Sequence, residues 1–294
     1  GVLIRVCLKF AFRSQMAKLS TYSKGYVVIF ALQIIMNMLQ TAERVSDVDA
    51  SDNYIYQRSL LAYHEAAKIV SGDILEIGTG SGYGIKIISP KADRYVTIDK
   101  FDNEQVQTMV KTYSNVSFTK MEVPPLNGIP DNSFDFVITF QVIEHIEDDK
   151  AFVSEIHRVL KKGGKLIVST PNIKMTLTRN PWHIREYTTG ELDSLLKVKF
   201  PSVIKNGVYG NEKVFEYYEK NKKSVQRITR FDIFDLQHKA PRWMLQIPYD
   251  ILNRLNRRRL LKDNTGLVSD FSLDDYSISE AKENCLDLYY IAEK

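Results

Sequence analysis

Behind an acid, the stretch Glu76-Ile77-Gly78-Thr79-Gly80-Ser81-Gly82-Tyr83-Gly84 packs four glycines into seven positions. Glycine lets a chain turn sharply and lets its backbone N–H groups approach a ligand with no Cβ between. Where a helix follows such a turn, its free N–H groups add a partial positive charge suited to an anionic group. Twenty-one residues after Gly78 stands Asp99, a carboxylate able to accept both hydroxyls of a ribose, in NAD or in an adenosyl ligand. The dinucleotide fingerprint G-x-G-x-x-G fails in both registers, because its third glycine falls on Tyr83 or on Ile85. A phosphate loop is excluded, since no Gly-Lys-Ser/Thr follows.

Two histidines could carry proton chemistry. His145 lies in Gln141-Val142-Ile143-Glu144-His145-Ile146, and His183 in Asn180-Pro181-Trp182-His183-Ile184-Arg185-Glu186-Tyr187-Thr188. Either is a candidate general base for an acceptor. The bland alternative is that Thr188 or Thr189 with Glu191 starts a helix at Gly190–Lys197, while His183 and Arg185 only fix the loop. No metal is expected: the chain has neither C-x-x-C nor H-E-x-x-H.

These groups need elements to position them. Asp73–Ile77, Tyr95–Asp99, Val116–Thr119, Phe134–Phe140 and Lys165–Thr170 are short, β-branched and bounded by turn formers, so they predict strands. Tyr83–Ser89, Asn103–Tyr113 and Asp149–Lys161 predict the helices between them, with Gly163-Gly164 forming a tight turn after the last. Alternating strands and helices imply an α/β fold with a mainly parallel sheet covered on both faces. Residues 42–70 predict one or two helices, and Leu286–Ala292 a final strand.

ILEIGTGSGYG, the acid Asp99, PDNSFDFVITFQVIEHIED and EIHRVLKKGGKLIVSTPN, in that order, resemble class I S-adenosylmethionine-dependent methyltransferases. The resemblance covers about residues 70–200 and is strongest to the type 11 group, small-molecule enzymes related to ubiquinone and menaquinone biosynthesis. It implies a Rossmann-like, seven-stranded, mostly parallel sheet with its last strand antiparallel and a helical cap. It also implies S-adenosylmethionine as cofactor. Gly78, Gly80 and Gly82 would pass its methionyl part, and Glu76 would orient the loop and the amino group. Asp99 would hold the ribose, with Lys100 beside the adenine. Met121 and Glu122 would contact adenine, although the family's acid falls where this chain has Val123. Gln141 would lie near the methyl sulfonium.

The chain has 294 residues and a net charge of +4, which composition alone would connect with nucleic acid. Its distribution argues otherwise. Residues 1–35 hold five bases and no acid, residues 211–262 hold 13 bases against 6 acids, and the remainder sums to −8. Thr139-Phe140-Gln141-Val142 lacks the Pro-Pro-aromatic motif of exocyclic-amine methylation, so no nucleic-acid partner is expected. Two cysteines far apart in sequence point to a reducing, cytoplasmic setting. The uncharged run Gly25–Ala42 is the outline of an anchor, a surface helix or a dispensable extension. Peripheral membrane contact follows from either of the first two readings, or from the basic 211–262 segment touching a membrane surface, whose plainer reading is a solvated helix face.

The expected organisation is an extension over 1–43 and a methyltransferase domain over 44–294, with a helical insertion at about 211–262. The expected activity is methyl transfer to a small-molecule acceptor, lipid-linked or anionic, at oxygen before carbon or nitrogen. The alternatives are an NAD-dependent oxidoreductase and a catalytically silent cofactor-binding module.

Overall fold

The five short apolar runs expected as strands, and the run Leu286–Ala292, all join one sheet. The computed structural model describes residues 49–294 except Phe231, Ile233 and Phe234. The readings of residues 1–43 and of the Gly25–Ala42 run lie outside the described residues.

The strands are β1 (Gly72–Ile77), β2 (Ala92–Asp99), β3 (Val116–Lys120), β4 (Phe134–Phe140), β5 (Leu160–Pro171), β6 (Ser202–Gly210), β7 (Tyr276–Glu280) and β8 (Asp287–Glu293). The helices are α1 (Asn53–Ala66), α2 (Ile85–Ile88), α3 (Glu104–Val110), α4 (Asp149–Val159), α5 (Thr189–Lys197), α6 (Glu212–Thr229), α7 (Leu236–Lys239), α8 (Arg242–Asp263) and α9 (Thr265–Ser269). The sheet order is β3-β2-β1-β4-β5-β8-β6-β7. The first five strands are parallel, and β8 runs antiparallel to both β5 and β6.

Eight strands replace the seven expected. The addition is β7, which pairs antiparallel with β6 at the sheet edge. A second departure is the helix at Tyr83–Ser89, which shortens to α2 because the glycine loop runs on through Gly84. There a Cβ would stand 2.1 Å from the ring of Tyr63. A third is the Gly163-Gly164 pair. α4 already ends at Val159, and the pair lies within β5, where Gly163 takes φ +77° and donates its N–H to the Lys294 carbonyl.

Two apolar cores flank the sheet. Tyr63, Ile74, Ile85, Tyr95, Ile138 and Tyr289 pack on one side with α1; Leu75, Val137, Phe152, Ile156, Leu166 and Leu192 pack on the other with α4 and α5. β1 alternates between both cores, as a central parallel strand must. Among the described residues no helix is long and apolar enough to cross a membrane.

Candidate active site

The chain runs outward from β1 to β2 and β3, then returns to β4, so the carboxyl ends of β1 and β4 form a switch point where two exit loops part. The loops come close together at Gly78. A Cβ on Gly78 would stand 2.3 Å from Val142 Cγ2, and Gly78 already takes φ +93°. Only glycine meets both demands. Gly80, at φ +57°, has open space where a Cβ would be. A cleft of about 2060 Å³ opens above these loops.

Gly78, Gly80, Asp99, Lys100, Met121, Glu122 and Gln141 all line that cleft. Asp99 Oδ2 accepts the Gly80 amide at 2.9 Å, and Oδ1 accepts the Phe101 amide at 2.9 Å. Each carboxylate oxygen keeps a further lone pair and Asp99 lines the cleft, so the position fits a ribose diol. Gln141 sits at φ +57°, with its amide on the Ser169 carbonyl at 2.9 Å. The glycine loop, the acid and the open space at Gly80 fit the cofactor that the sequence implied.

Two residues expected at the cofactor, Glu76 and Gly82, do not line the cleft. Glu76 does not line the cleft: it is 1 % exposed and lies beneath the loop. Its carboxylate accepts Tyr63 Oη at 2.6 Å, Tyr95 Oη at 2.7 Å and Thr97 Oγ1 at 2.5 Å. Burial raises its pKa, while the three hydroxyls pull the other way. Thr97 in turn meets Thr79 Oγ1 at 2.5 Å, so Glu76 orders the loop from below rather than meeting an amino group. Gly82 also faces away from the cleft. Its amide donates to the Thr79 carbonyl at 2.9 Å, and a Cβ there would meet Val106 at 3.0 Å.

His145 and His183 come together although 38 residues separate them. Their rings meet edge to face at 4.9 Å, and both line the cleft. His183 Nδ1 lies 2.6 Å from Glu186 Oε1, and Asn180 Nδ2 lies 2.8 Å from Nε2. The carboxylate accepts only, so Nδ1 carries the ring proton and Nε2 the lone pair in the neutral ring. His145 Nδ1 lies 3.1 Å from the Trp182 carbonyl, which likewise only accepts. The capping box that starts α5, with Thr188 and Glu191 exchanging hydrogen bonds, does exist, but His183 faces the cleft beside it.

Sequence reasoning passed over three participants. Glu186, inside the quoted His183 segment, orients His183 and is itself bonded by Thr176 Oγ1. Glu144, 1 % exposed, accepts Thr170 Oγ1 at 3.0 Å, and its backbone carbonyl accepts Ile184 N at 2.7 Å. Burial raises the Glu144 pKa, opposed by the two nearby histidines. Glu144, His145 and His183 bring ligating atoms within 4.8 Å of one another, a spacing compatible with a metal ion. No linear motif could announce it, because the three groups come from two loops. Arg58 of α1, paired with Asp287 at 2.8 Å, closes another wall, and nothing in its local sequence marked it.

A methyltransferase-domain family profile matches residues 75–168. A probable S-adenosylmethionine-dependent methyltransferase of Mycolicibacterium smegmatis is 38% identical over 164 residues, which cover 53% of this chain and 63% of that protein. The chain thus spans about three-fifths of that relative's length. The ubiquinone/menaquinone biosynthesis C-methyltransferase of a Geobacter species is 33% identical over 114 residues, or 35% of this chain and 48% of that one. Among solved structures, a methyltransferase from Thermotoga maritima overlays with TM-score 0.49 at 18% identity, covering 82% of this chain and 92% of that one.

Proposed function

We propose that this chain, which carries a class I S-adenosylmethionine-dependent methyltransferase domain, moves a methyl group to an oxygen of a small-molecule acceptor. The supporting observation is that one cleft joins the Gly78–Ser81 loop and Asp99 to the His183–Glu186 pair. Bound S-adenosylmethionine supplies a methyl on a sulfonium, a leaving group that is already activated. The protein's own task is alignment and removal of the acceptor proton.

Asp99 would hold the ribose hydroxyls, with Lys100, Met121 and Glu122 at the adenine end and Gln141 toward the sulfonium. His183 Nε2 takes the acceptor's proton as Asn180 gives way. The Nδ1 proton stays on its hydrogen bond to Glu186, whose negative charge steadies the imidazolium. His145 packs against His183 and limits its rotation. The helices of 211–262 form the acceptor side, within a methyltransferase domain that takes in the remaining described residues. A reducing, cytoplasmic setting is supported by the two cysteines lying far apart in sequence.

The experiment is release of S-adenosylhomocysteine across phenols, quinone precursors and glycans, with wild type and His183→Asn compared. Turnover by wild type and its loss in the variant at unchanged cofactor affinity support the reading. Cofactor binding with no turnover across the panel favours the silent module.

A further inference from the structure

α8 buries polar side chains and exposes apolar ones. Asp250, Arg254, Asn256 and Leu260 are its buried residues, whereas Trp243, Met244 and Ile247 stand 71, 52 and 48 % exposed. The burial has local reasons. Arg254 Nη1 pairs with Asp52 and Asp49, each at 3.1 Å, and Asn256 Nδ2 donates to Asn221 Oδ1 at 2.8 Å. Asp250 accepts Trp182 Nε1 at 3.0 Å. These bonds fix the roll of α8 and so turn Trp243 and Ile247, four residues apart on one face, outward. Leu236 of α7 is exposed as well. An apolar ridge held in water by buried ion pairs marks a contact surface.

The charges around the ridge identify what covers it. Arg227, Arg230 and Lys239 are exposed, and Arg242 is half-buried. The two acids of the same stretch, Asp232 and Asp235, leave residues 227–247 with four bases and a net charge of +2. Asp232 accepts the Leu236 and Gln237 amides, and Asp235 meets His238 Nδ1 at 2.5 Å. A ridge of Trp, Met, Ile and Leu in a net basic stretch matches an anionic lipid surface. A second copy of the chain would oppose like charges instead. The ridge is also the outer lip of the cleft: Met244, Leu245, Pro248 and Leu252 line its inside.

We propose that this lip docks on an anionic lipid surface and that the acceptor enters the cleft from the lipid layer. The acceptor's apolar part then lies beneath α6 and α8, and its reactive oxygen reaches His183. The second half of this inference rests on the methyl-transfer reading; the docking does not.

The test is flotation of the full chain with vesicles of phosphatidylglycerol and phosphatidylcholine, against phosphatidylcholine alone. Binding is expected to the anionic vesicles and to weaken with salt. Trp243→Ser with Ile247→Ser should weaken it at least tenfold. Lys239→Ala and Arg242→Ala should each cost about fivefold. None of these four side chains lines the cleft, so calorimetric affinity for S-adenosylmethionine should stay at the wild-type value. Absent vesicle binding, binding that ignores these substitutions, or a dimer dissolved by Trp243→Ser would overturn the docking. Vesicle binding without cofactor binding would overturn the methyl-transfer reading alone. A long-tailed phenol embedded in the vesicles should be methylated faster than its untailed form, and equal rates would overturn lipid-layer entry.

Discussion

The Gly80 amide donates to Asp99 Oδ2 at 2.9 Å, so the loop leaving β1 and the acid ending β2 hold each other in place. A group bound by Asp99 therefore sits at a fixed height above the glycine loop. Asp99→Ala removes charge-assisted acceptors and this tie together. Calorimetry should show S-adenosylmethionine affinity reduced about 10- to 100-fold. Unchanged affinity would remove Asp99 from the cofactor site.

Gly78 is a point of close approach between the two exit loops. Gly78→Ala faces a positive φ and the Val142 methyl at once, which should cost about 2 kcal/mol or more in urea unfolding. Adding Val142→Ala relieves the clash but not the φ, so it should restore only part of the loss. Full restoration would show that the left-handed backbone carries no strain there.

Glu76 makes stability depend on pH in a definite direction. Burial raises its carboxyl above the ordinary 4.5, so between 4.5 and the folded value the native state keeps a proton that the unfolded state has released. Its contribution therefore falls as pH rises through that window. The stability of wild type minus that of Glu76→Gln, followed by urea melts from pH 4 to 8, should decline and then level. A rising difference would contradict the assignment.

His183→Asn should lower kcat by about 10²- to 10⁴-fold with cofactor affinity unchanged. Glu186→Gln should give a smaller fall by releasing the ring from its orienting carboxylate. If the cluster of Glu144, His145 and His183 works by proton transfer, EDTA leaves turnover unchanged. Loss with EDTA and recovery with a divalent cation would assign the cluster to a metal.

The parallel half of the sheet was legible because its central strands β1, β4 and β5 are largely buried and its strands carry short apolar, β-branched runs. The antiparallel half was less so. β6 holds Lys205, Asn206, Gly207 and Gly210, and β7 is Tyr-Ser-Ile-Ser-Glu, so their pairing is a tertiary effect that local composition does not announce. That Gly78, Gly80 and Asp99 would share one cleft was legible through spacing. Gly82 and Glu76 carried the same spacing but face away from the cleft, which only burial reveals. The His145–His183 contact depends on the loop after β5 folding back across β4, and no local pattern encodes that distance.

Titrating the full chain with S-adenosylmethionine and, separately, with NAD tests the central claim most directly. Saturable binding of S-adenosylmethionine at one site per chain, weakened by Asp99→Ala, is expected, with no binding of NAD. No S-adenosylmethionine binding, or NAD binding lost in Asp99→Ala, would contradict it.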